Sequence, residues 1–217
     1  MIKYCIFDLD GTLLNTAATI THCVNRTLSK FGHRIVSVEE CITFVGDGPR
    51  NLITRALEYR GDGGRTDVDE ALAFYLKAYD YDPFYLTHPF DGVIEMLHTL
   101  RQRGVKVGVV SNKQHSSTVE SVRFFFSDAV DGVVGSREGV PLKPSPESSL
   151  ALLCELGGEP GECAFIGDSP QDVITGIALG ALPIGVDWGY RSRESLLEAG
   201  AYRVVSDTEE LLEVIGL

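Results

Sequence analysis

Two aspartates separated by one residue, Asp8 and Asp10, follow an apolar segment near the start of the chain. That segment predicts a buried strand, and Gly11 directly after the aspartates predicts a turn. Side chains two residues apart on a strand point to the same side, so the two carboxylates should lie close together. Two like charges at that separation favour a divalent cation, a shared proton, or both.

Three other places carry side chains that could act with these aspartates. Ser111, Asn112 and Lys113 follow an apolar segment, Lys143 precedes Pro144, and Gly167-Asp168-Ser169-Pro170-Gln171-Asp172 follows another apolar segment. In an open parallel sheet of strand order 3-2-1-4-5-6, the strand that ends at Asp8 lies at the switch point, between the strands before Ser111 and Asp168. Asp8, Ser111 and Asp168 should therefore meet at one edge of the sheet, and Lys143, if it is directed at them, would balance their charge.

Each place also has an ordinary structural interpretation. Ser111 and Asn112 could form a common turn, Lys143 could be a surface lysine, and Asp168 or Asp172 could cap the helix that begins at Pro170. Several aspartates that converge on one crevice without a cation would repel each other, however, and Mg²⁺ is the oxygen-seeking ion that relieves such repulsion. The clustering therefore favours a metal site with a lysine beside it.

The order of the elements predicts an α/β fold with an inserted helical domain. Residues 15–85 show helical spacing of apolar residues, including a Ser37/Glu40 capping box, whereas strands alternate with helices after residue 90. This alternation predicts a doubly wound parallel sheet with right-handed crossovers. We expect an α/β core of residues 1–14 and 88–217, and an α-helical cap of residues 15–87.

Length, charge and cysteine content limit the classes of function. The 217 residues, 44% of them hydrophobic, can bury a sizeable core, and the net charge of −12 disfavours nucleic acid or a membrane surface as a partner. Five scattered cysteines without a C-x-x-C pair suit reduced thiols, and Cys41 has no activating base nearby in sequence. The first residues show no signal peptide or membrane span, so we expect a cytoplasmic protein. The sequence leaves both a monomer and a homodimer open.

The four places together resemble the four motifs of the haloacid dehalogenase-like superfamily. They are Asp8-Leu9-Asp10-Gly11-Thr12, Ser111, Lys143 and Gly167-Asp168-x-x-x-Asp172, in that order. A helical cap inserted after the first motif is similar to the arrangement of the small-capped phosphatases of this superfamily. Residues 44–52 and 187–191 also resemble segments of phosphoglycolate phosphatases.

This resemblance implies phosphoryl transfer through an aspartyl phosphate. Asp8 would be the nucleophile, and Asp10 would protonate the leaving alcohol and then activate water. Ser111, the backbone of Asn112, and Lys143 would neutralise the transferring oxygens. A second aspartate argues for phosphoryl transfer over halide displacement, because halide needs no acid.

The resemblance also implies how Mg²⁺ and substrate are held. Asp8, the backbone carbonyl of Asp10, and Asp168 would bind the ion, while Asp172 orders the ligands around it. Thr12 is the residue typical of phosphatases, and we place it with Asn112 among the substrate-binding residues. Arg50 is our candidate for a small substrate carboxylate, because its guanidinium can bind in bidentate fashion. Alternatively, Arg50 is an exposed arginine on a polar helix face with no role in binding. Arg55 or Lys113 could then bind the carboxylate instead.

The favoured function is therefore a Mg²⁺-dependent phosphatase acting on a small phosphorylated metabolite, with 2-phosphoglycolate as the first candidate. An inorganic pyrophosphatase and a sugar-phosphate mutase or phosphatase of the same superfamily share the core chemistry. From a different class, a phospho-accepting signalling receiver also has an aspartate pair, a hydroxyl and a lysine. A receiver has no reason to carry the helical insert or the Asp168/Asp172 pair.

Overall fold

A computed structural model describes all of residues 1–217. The chain divides into two compact units, one formed by Met1–Asn15 with Pro89–Leu217 and the other by Thr16–His88. These bounds differ by one residue from the predicted domain bounds. No helix of the structure has both the length and the apolar character needed to cross a membrane.

The first unit is built on a sheet of six parallel strands. In chain order these strands are β1 (Tyr4–Phe7), β4 (Lys106–Gln114), β5 (Gly132–Ser136), β6 (Cys163–Gly167), β7 (Leu182–Val186) and β8 (Arg203–Val205). Their spatial order is β5-β4-β1-β6-β7-β8. This is the predicted 3-2-1-4-5-6 order, so the predicted doubly wound α/β fold is confirmed.

Helices cover both faces of this sheet because neighbouring strand residues point to opposite faces. Cys5 and Phe7 of β1 pack in one buried cluster, and Ile6 packs in another. The first cluster includes residues of α5 (Val93–Gln102), α6 (His115–Phe126) and α10 (Thr208–Val214). The second includes residues of α7 (Glu147–Glu155) and α8 (Pro170–Leu179), and α9 (Arg193–Glu198) packs beside α8 through Leu196.

The second unit consists of four helices around its own core. They are α1 (Ala17–Lys30), α2 (Val38–Ile42), α3 (Gly48–Tyr59) and α4 (Val68–Tyr81). Their buried residues include Val24, Leu28, Ile53 and Leu57, which recur at helical spacing. The expected capping box is present, since Ser37 and Glu40 exchange hydrogen bonds at the start of α2.

Two details differ from the sequence-based expectation. Two short strands, β2 (Leu14–Asn15) and β3 (His88–Pro89), pair with each other where the chain passes between the two units. They were not predicted because two residues are too few to show alternation. The strand expected to end at Val110 continues to Gln114 as β4, with a shift in its pairing to β5 between these two residues. Ser111, Asn112 and Lys113 thus lie within an irregular stretch of the strand.

Candidate active site

Three carboxylates meet where β1 and β6 end. Asp8 follows β1, and its backbone N–H donates to the carbonyl of Ile166 on β6 (2.9 Å). Asp168 follows β6, and Asp172 lies in the first turn of α8. All three are buried, and one carboxylate oxygen of each lies within 4.8 Å of the others. Asp8 and Asp168 come together because the carboxyl ends of parallel strands share one edge of the sheet, and Asp172 joins them because α8 begins directly after β6.

Lys143 links two of these carboxylates. Its Nζ lies 2.8 Å from Asp8 Oδ1 and 2.6 Å from Asp172 Oδ1, and its side chain is 4% exposed. Although burial by itself lowers the pKa of a lysine, the carboxylates of Asp172 and Asp8 raise the pKa of Lys143 above its ordinary value. Lys143 is therefore a fixed cation at the centre of the cluster.

The cluster remains short of positive charge. Burial raises the pKa of Asp8 above its ordinary value, and the negative charges of Asp172 and Asp168 raise it further, against the effect of Lys143. Burial, with the charge of Asp172, likewise raises the pKa of Asp168 to about 7. Three carboxylates beside one ammonium group leave two negative charges without a partner, which suits a proton or a divalent cation.

The residues present fit a divalent cation bound through oxygen. The donor set consists of carboxylates, the ligands that hard cations such as Mg²⁺ prefer. Asp8 Oδ1 is buried and accepts no hydrogen bond of good geometry, although it lies in the ion pair with Lys143. An oxygen in that condition can still gain from a cation. The coarser part of the metal prediction, a buried acidic cluster able to hold an ion, is confirmed.

Hydrogen bonds fix the orientation of Asp168 and Asp172. Asp168 accepts from Thr12 Oγ1 (3.3 Å) and from the backbone N–H of Tyr190 (2.7 Å). Asp172 Oδ2 accepts from the backbone N–H of Ser169 (3.0 Å), and Ser169 caps α8 in return. The helix-capping and cluster interpretations of Asp172 therefore both hold, because its two oxygens do different work.

Glycines allow the chain to approach Asp168 closely. Gly11 has a φ of +91°, and a Cβ atom at this position would overlap the Asp168 carboxylate. A Cβ at Gly189, in the loop after β7, would overlap Asp168 as well. In the sequence, the loop after β7 shows only a similarity to phosphoglycolate phosphatases. Its contact with the site follows from β7 lying next to β6 in the sheet.

Asp10 is not one of the three clustered carboxylates, and it has a separate ion-pair partner. Its oxygens lie 2.9 and 3.3 Å from Lys113 Nζ. The sequence suggested Lys113 only as an alternative ligand for a substrate carboxylate, and this ion pair was missed. Asp8 and Asp10 thus have different lysine partners.

The other predicted site residues of the core also lie at this edge. Asn112 binds the backbone of Lys143 at both ends of its side-chain amide, accepting from the N–H (2.8 Å) and donating to the carbonyl (3.1 Å). Ser111 is buried on the same stretch of β4. Thr12 is 1% exposed, and the bond described for its hydroxyl is to Asp168, so its substrate-binding role stays a prediction.

Arg50, the predicted carboxylate ligand, belongs to the helical unit. It lies on α3, is exposed, and forms an ion pair with Asp69 of α4. Arg55 of the same helix pairs with Asp47. Both arginines have acidic partners within their own unit, and the role of either in binding substrate stays a prediction.

Comparison with known proteins identifies the family. Residues 5–186 match the haloacid dehalogenase-like hydrolase family. A phosphoglycolate phosphatase of Rhodospirillum rubrum is 32% identical over 100% of this chain and 92% of its own length. Pyrophosphatase PpaX of Bacillus pumilus is 25% identical over 99% of this chain and 97% of its own.

A solved structure of a protein from Lactobacillus delbrueckii subsp. bulgaricus is also similar. It is 32% identical, covers 98% of each chain, and superimposes with a TM-score of 0.85. The resemblance seen in the four motifs is confirmed, as is the prediction that the chain is an enzyme. The chain belongs to the haloacid dehalogenase-like hydrolase family.

Proposed function

We propose that this protein is a Mg²⁺-dependent phosphatase that hydrolyses a small phosphomonoester through an aspartyl phosphate on Asp8, with 2-phosphoglycolate as its preferred substrate. The observation that carries the chemistry is the buried group of Asp8, Asp168 and Asp172 around Lys143. The substrate is inferred from relatives named phosphoglycolate phosphatase at about 30% identity.

The roles of the chain's own residues follow from their chemistry. Asp8 is the nucleophile, since it lies in the cluster and keeps one oxygen without a well-formed hydrogen bond. Asp10 acts as acid toward the leaving alcohol and then as base toward water. Lys143, Ser111 and the backbone of Asn112 stabilise negative charge on the transferring phosphoryl group.

Asp8, the backbone carbonyl of Asp10, and Asp168 would hold Mg²⁺, with Asp172 ordering the ligands. The bound ion supplies charge neutralisation, which keeps Asp8 ionised and draws the phosphate to the site. Asp168 is suited to this by its two hydrogen bonds, which fix the direction of its carboxylate. Asp172 is suited to the outer position because Lys143 and Ser169 already occupy its two oxygens.

The substrate class is anionic and small. Arg50 is our candidate for the carboxylate of phosphoglycolate, with Arg55 as the alternative from the same helix. A cytoplasmic location is expected, because the five cysteines are free thiols, as in a reducing compartment. Pyrophosphate is the second candidate substrate, favoured by the similarity to pyrophosphatase PpaX.

Phosphate release tests this proposal directly. The panel contains 2-phosphoglycolate, pyrophosphate, a sugar phosphate and an aryl phosphate, each with Mg²⁺ and with EDTA as the control. We expect EDTA to abolish activity and kcat/KM for phosphoglycolate to exceed the others by about 100-fold. A preference for pyrophosphate would show that pyrophosphate, and not phosphoglycolate, is the preferred substrate. Equal activity with Mg²⁺ and with EDTA would refute the requirement for a metal ion.

A trapped intermediate tests the nucleophile. Rapid acid quench with a substrate labelled in its phosphoryl group should leave label on the protein. Mass spectrometry should place this label on Asp8. Label on another residue would contradict the assignment of Asp8.

A further inference from the structure

Lys113 makes a two-point contact with the Asp10 carboxylate. Its Nζ lies 2.9 Å from Oδ1 and 3.3 Å from Oδ2, and the two side chains are 9% and 13% exposed. An exposed ion pair of a lysine with a carboxylate contributes little free energy, but the Lys113–Asp10 pair is largely shielded from water. A contact to both oxygens also limits rotation of the carboxylate.

The backbone of Lys113 is held on both sides. Its N–H donates to Ser111 Oγ (3.2 Å), and its carbonyl accepts from Thr118 Oγ1 (3.2 Å). The preceding residue, Asn112, is tied by two hydrogen bonds to the backbone of Lys143. The lysine therefore reaches Asp10 from an anchored segment, the irregular stretch of β4.

Each of the two aspartates of the first motif, Asp8 and Asp10, forms an ion pair with a different lysine. Lys143 pairs with Asp8 and Asp172, whereas Lys113 pairs with Asp10. We propose that Lys113 is a positioning residue that orients the Asp10 carboxyl group toward the ester oxygen that leaves in phosphoryl transfer. This inference rests on the proposed function, because it takes Asp10 as the acid and base.

The role of Asp10 is defined by the two steps it serves. In the first, an Asp8 oxygen bonds to phosphorus, the phosphorus–ester oxygen bond breaks, and the departing oxygen takes the proton of Asp10. In the second, water gives a proton to Asp10 while the water oxygen bonds to phosphorus, and the bond from phosphorus to the Asp8 oxygen breaks. A misdirected Asp10 impairs the first step in proportion to how much the leaving group needs a proton.

The leaving group therefore provides the test. The parameter kcat/KM reports the steps up to release of the first product. An alkoxide needs a proton in order to leave, whereas p-nitrophenolate leaves without one. Ethyl phosphate, 2-phosphoglycolate and p-nitrophenyl phosphate thus separate loss of the acid from loss of phosphate binding.

The variant is Lys113→Met, which keeps most of the side-chain volume and removes the charge. We expect kcat/KM to fall about 100-fold for ethyl phosphate and 2-phosphoglycolate, and less than about threefold for p-nitrophenyl phosphate. The matched control is Lys106→Met at the start of β4, where an exposed lysine pairs with Asp131. We expect this control to leave all three values within about twofold.

Two outcomes would overturn the proposal. An equal loss on all three substrates would show that Lys113 serves phosphate binding or the fold. A loss confined to 2-phosphoglycolate would show that Lys113 binds the substrate carboxylate instead. If the wild-type protein released phosphate from none of the three, the proposed function would fail and this inference with it.

Lys113→Arg covers the case in which the methionine variant does not fold. Arginine keeps the charge but presents it in a different geometry. We expect the same selectivity against the two alkyl esters with a smaller loss, about 10-fold, and a melting temperature near that of wild type. An arginine variant that folds and shows no difference between alkyl and aryl esters would contradict a positioning role.

Discussion

Buried carboxylates occur in both units of this protein, and their surroundings differ. In the helical unit, Asp62 is almost fully buried, and its oxygens accept from Thr66 Oγ1 (2.6 Å) and the Thr66 N–H (2.9 Å). His33 Nε2 lies 2.8 Å from the same carboxylate. In the core unit, Asp8 and Asp168 lie close to other carboxylates.

The pKa values of the two regions move in opposite directions. The hydrogen bonds from Thr66 lower the pKa of Asp62 below its ordinary value, whereas burial raises the pKa of Asp8 and Asp168. Burial alone therefore does not decide the charge of an acid. The neighbouring groups also act, since Thr66 donates two hydrogen bonds to Asp62, whereas the charge of Asp172 adds to the effect of burial on Asp8 and Asp168.

The largest effect is expected for the nucleophile. Asp8→Asn should lower kcat by about 10⁴-fold or more, because an amide cannot form the aspartyl phosphate. Its melting temperature without divalent cation should not fall, since one crowded negative charge is removed. Phosphate release and circular dichroism measure the two quantities. Asp62→Asn is the matched control in the helical unit, and retained activity in Asp8→Asn would disprove the assigned chemistry.

Among the lysine substitutions, loss of Lys143 should lower the free energy of unfolding most. Lys143→Met leaves Asp8 and Asp172 buried without their cation, and we expect a cost of about 3–5 kcal/mol in the free energy of unfolding. Urea denaturation of both proteins in EDTA measures this cost. Lys106→Met, which breaks an exposed pair, should cost less than about 1 kcal/mol. Equal effects of the two substitutions would contradict the central position of Lys143.

Metal and pH should act together on the core unit. A carboxyl group with a raised pKa holds its proton to higher pH when folded than when unfolded, so its stabilising effect is lost as pH rises. For Asp168 this loss runs from near its ordinary value of 3.8 to about 7. In EDTA, the melting temperature should therefore fall between about pH 4 and pH 7.

Added Mg²⁺ should reverse that fall. At about 100 times its Kd, the ion should stabilise the protein by about 2.7 kcal/mol at pH 8, and by less at pH 5, where protons compete for the same oxygens. Calorimetric melts at both pH values measure the difference. A larger gain at pH 5 than at pH 8 would contradict the proposed ligands.

The smallest effect belongs to the hydrogen-bonded acid of the helical unit. Asp62→Asn weakens the contacts to Thr66 and His33, and we expect the melting temperature to fall by about 2–4 °C. The stabilisation by Asp62 is present at neutral pH and lost as pH falls through its lowered pKa. The difference between variant and wild type should therefore shrink in acid and not depend on Mg²⁺. A Mg²⁺-dependent difference would remove the contrast between the two regions.

The sequence predicted the parts of the site that topology controls. Asp8 and Asp168 follow apolar strands, Ser111 follows the apolar residues of β4, and the alternation of strands with helices predicts which strands are neighbours. The S-x-x-E signal at Ser37 is likewise local, and both of its hydrogen bonds formed. Such features need only the order of residues along the chain.

The contacts that were missed depend on longer paths. Lys113 contacts Asp10 from the stretch of β4 in which the pairing to β5 shifts, and no residue pattern marks that irregularity. The ion pair of His33 with Asp62 joins the loops that follow α1 and α3, and the periodicity of the helices does not show that these loops meet. The backbone N–H of Tyr190 reaches Asp168 through a loop whose course is set by β7.

The two glycines around Asp168 have a consequence for how this sequence can vary. Any other residue at Gly11 or Gly189 would place a carbon atom inside the space of the carboxylate, and Gly11 also has a backbone angle that L-residues rarely adopt. A library randomised at these two positions should return glycine alone among active clones. Selection for new substrates would have to draw its diversity from elsewhere, and exposed residues such as Arg50 are open to that search.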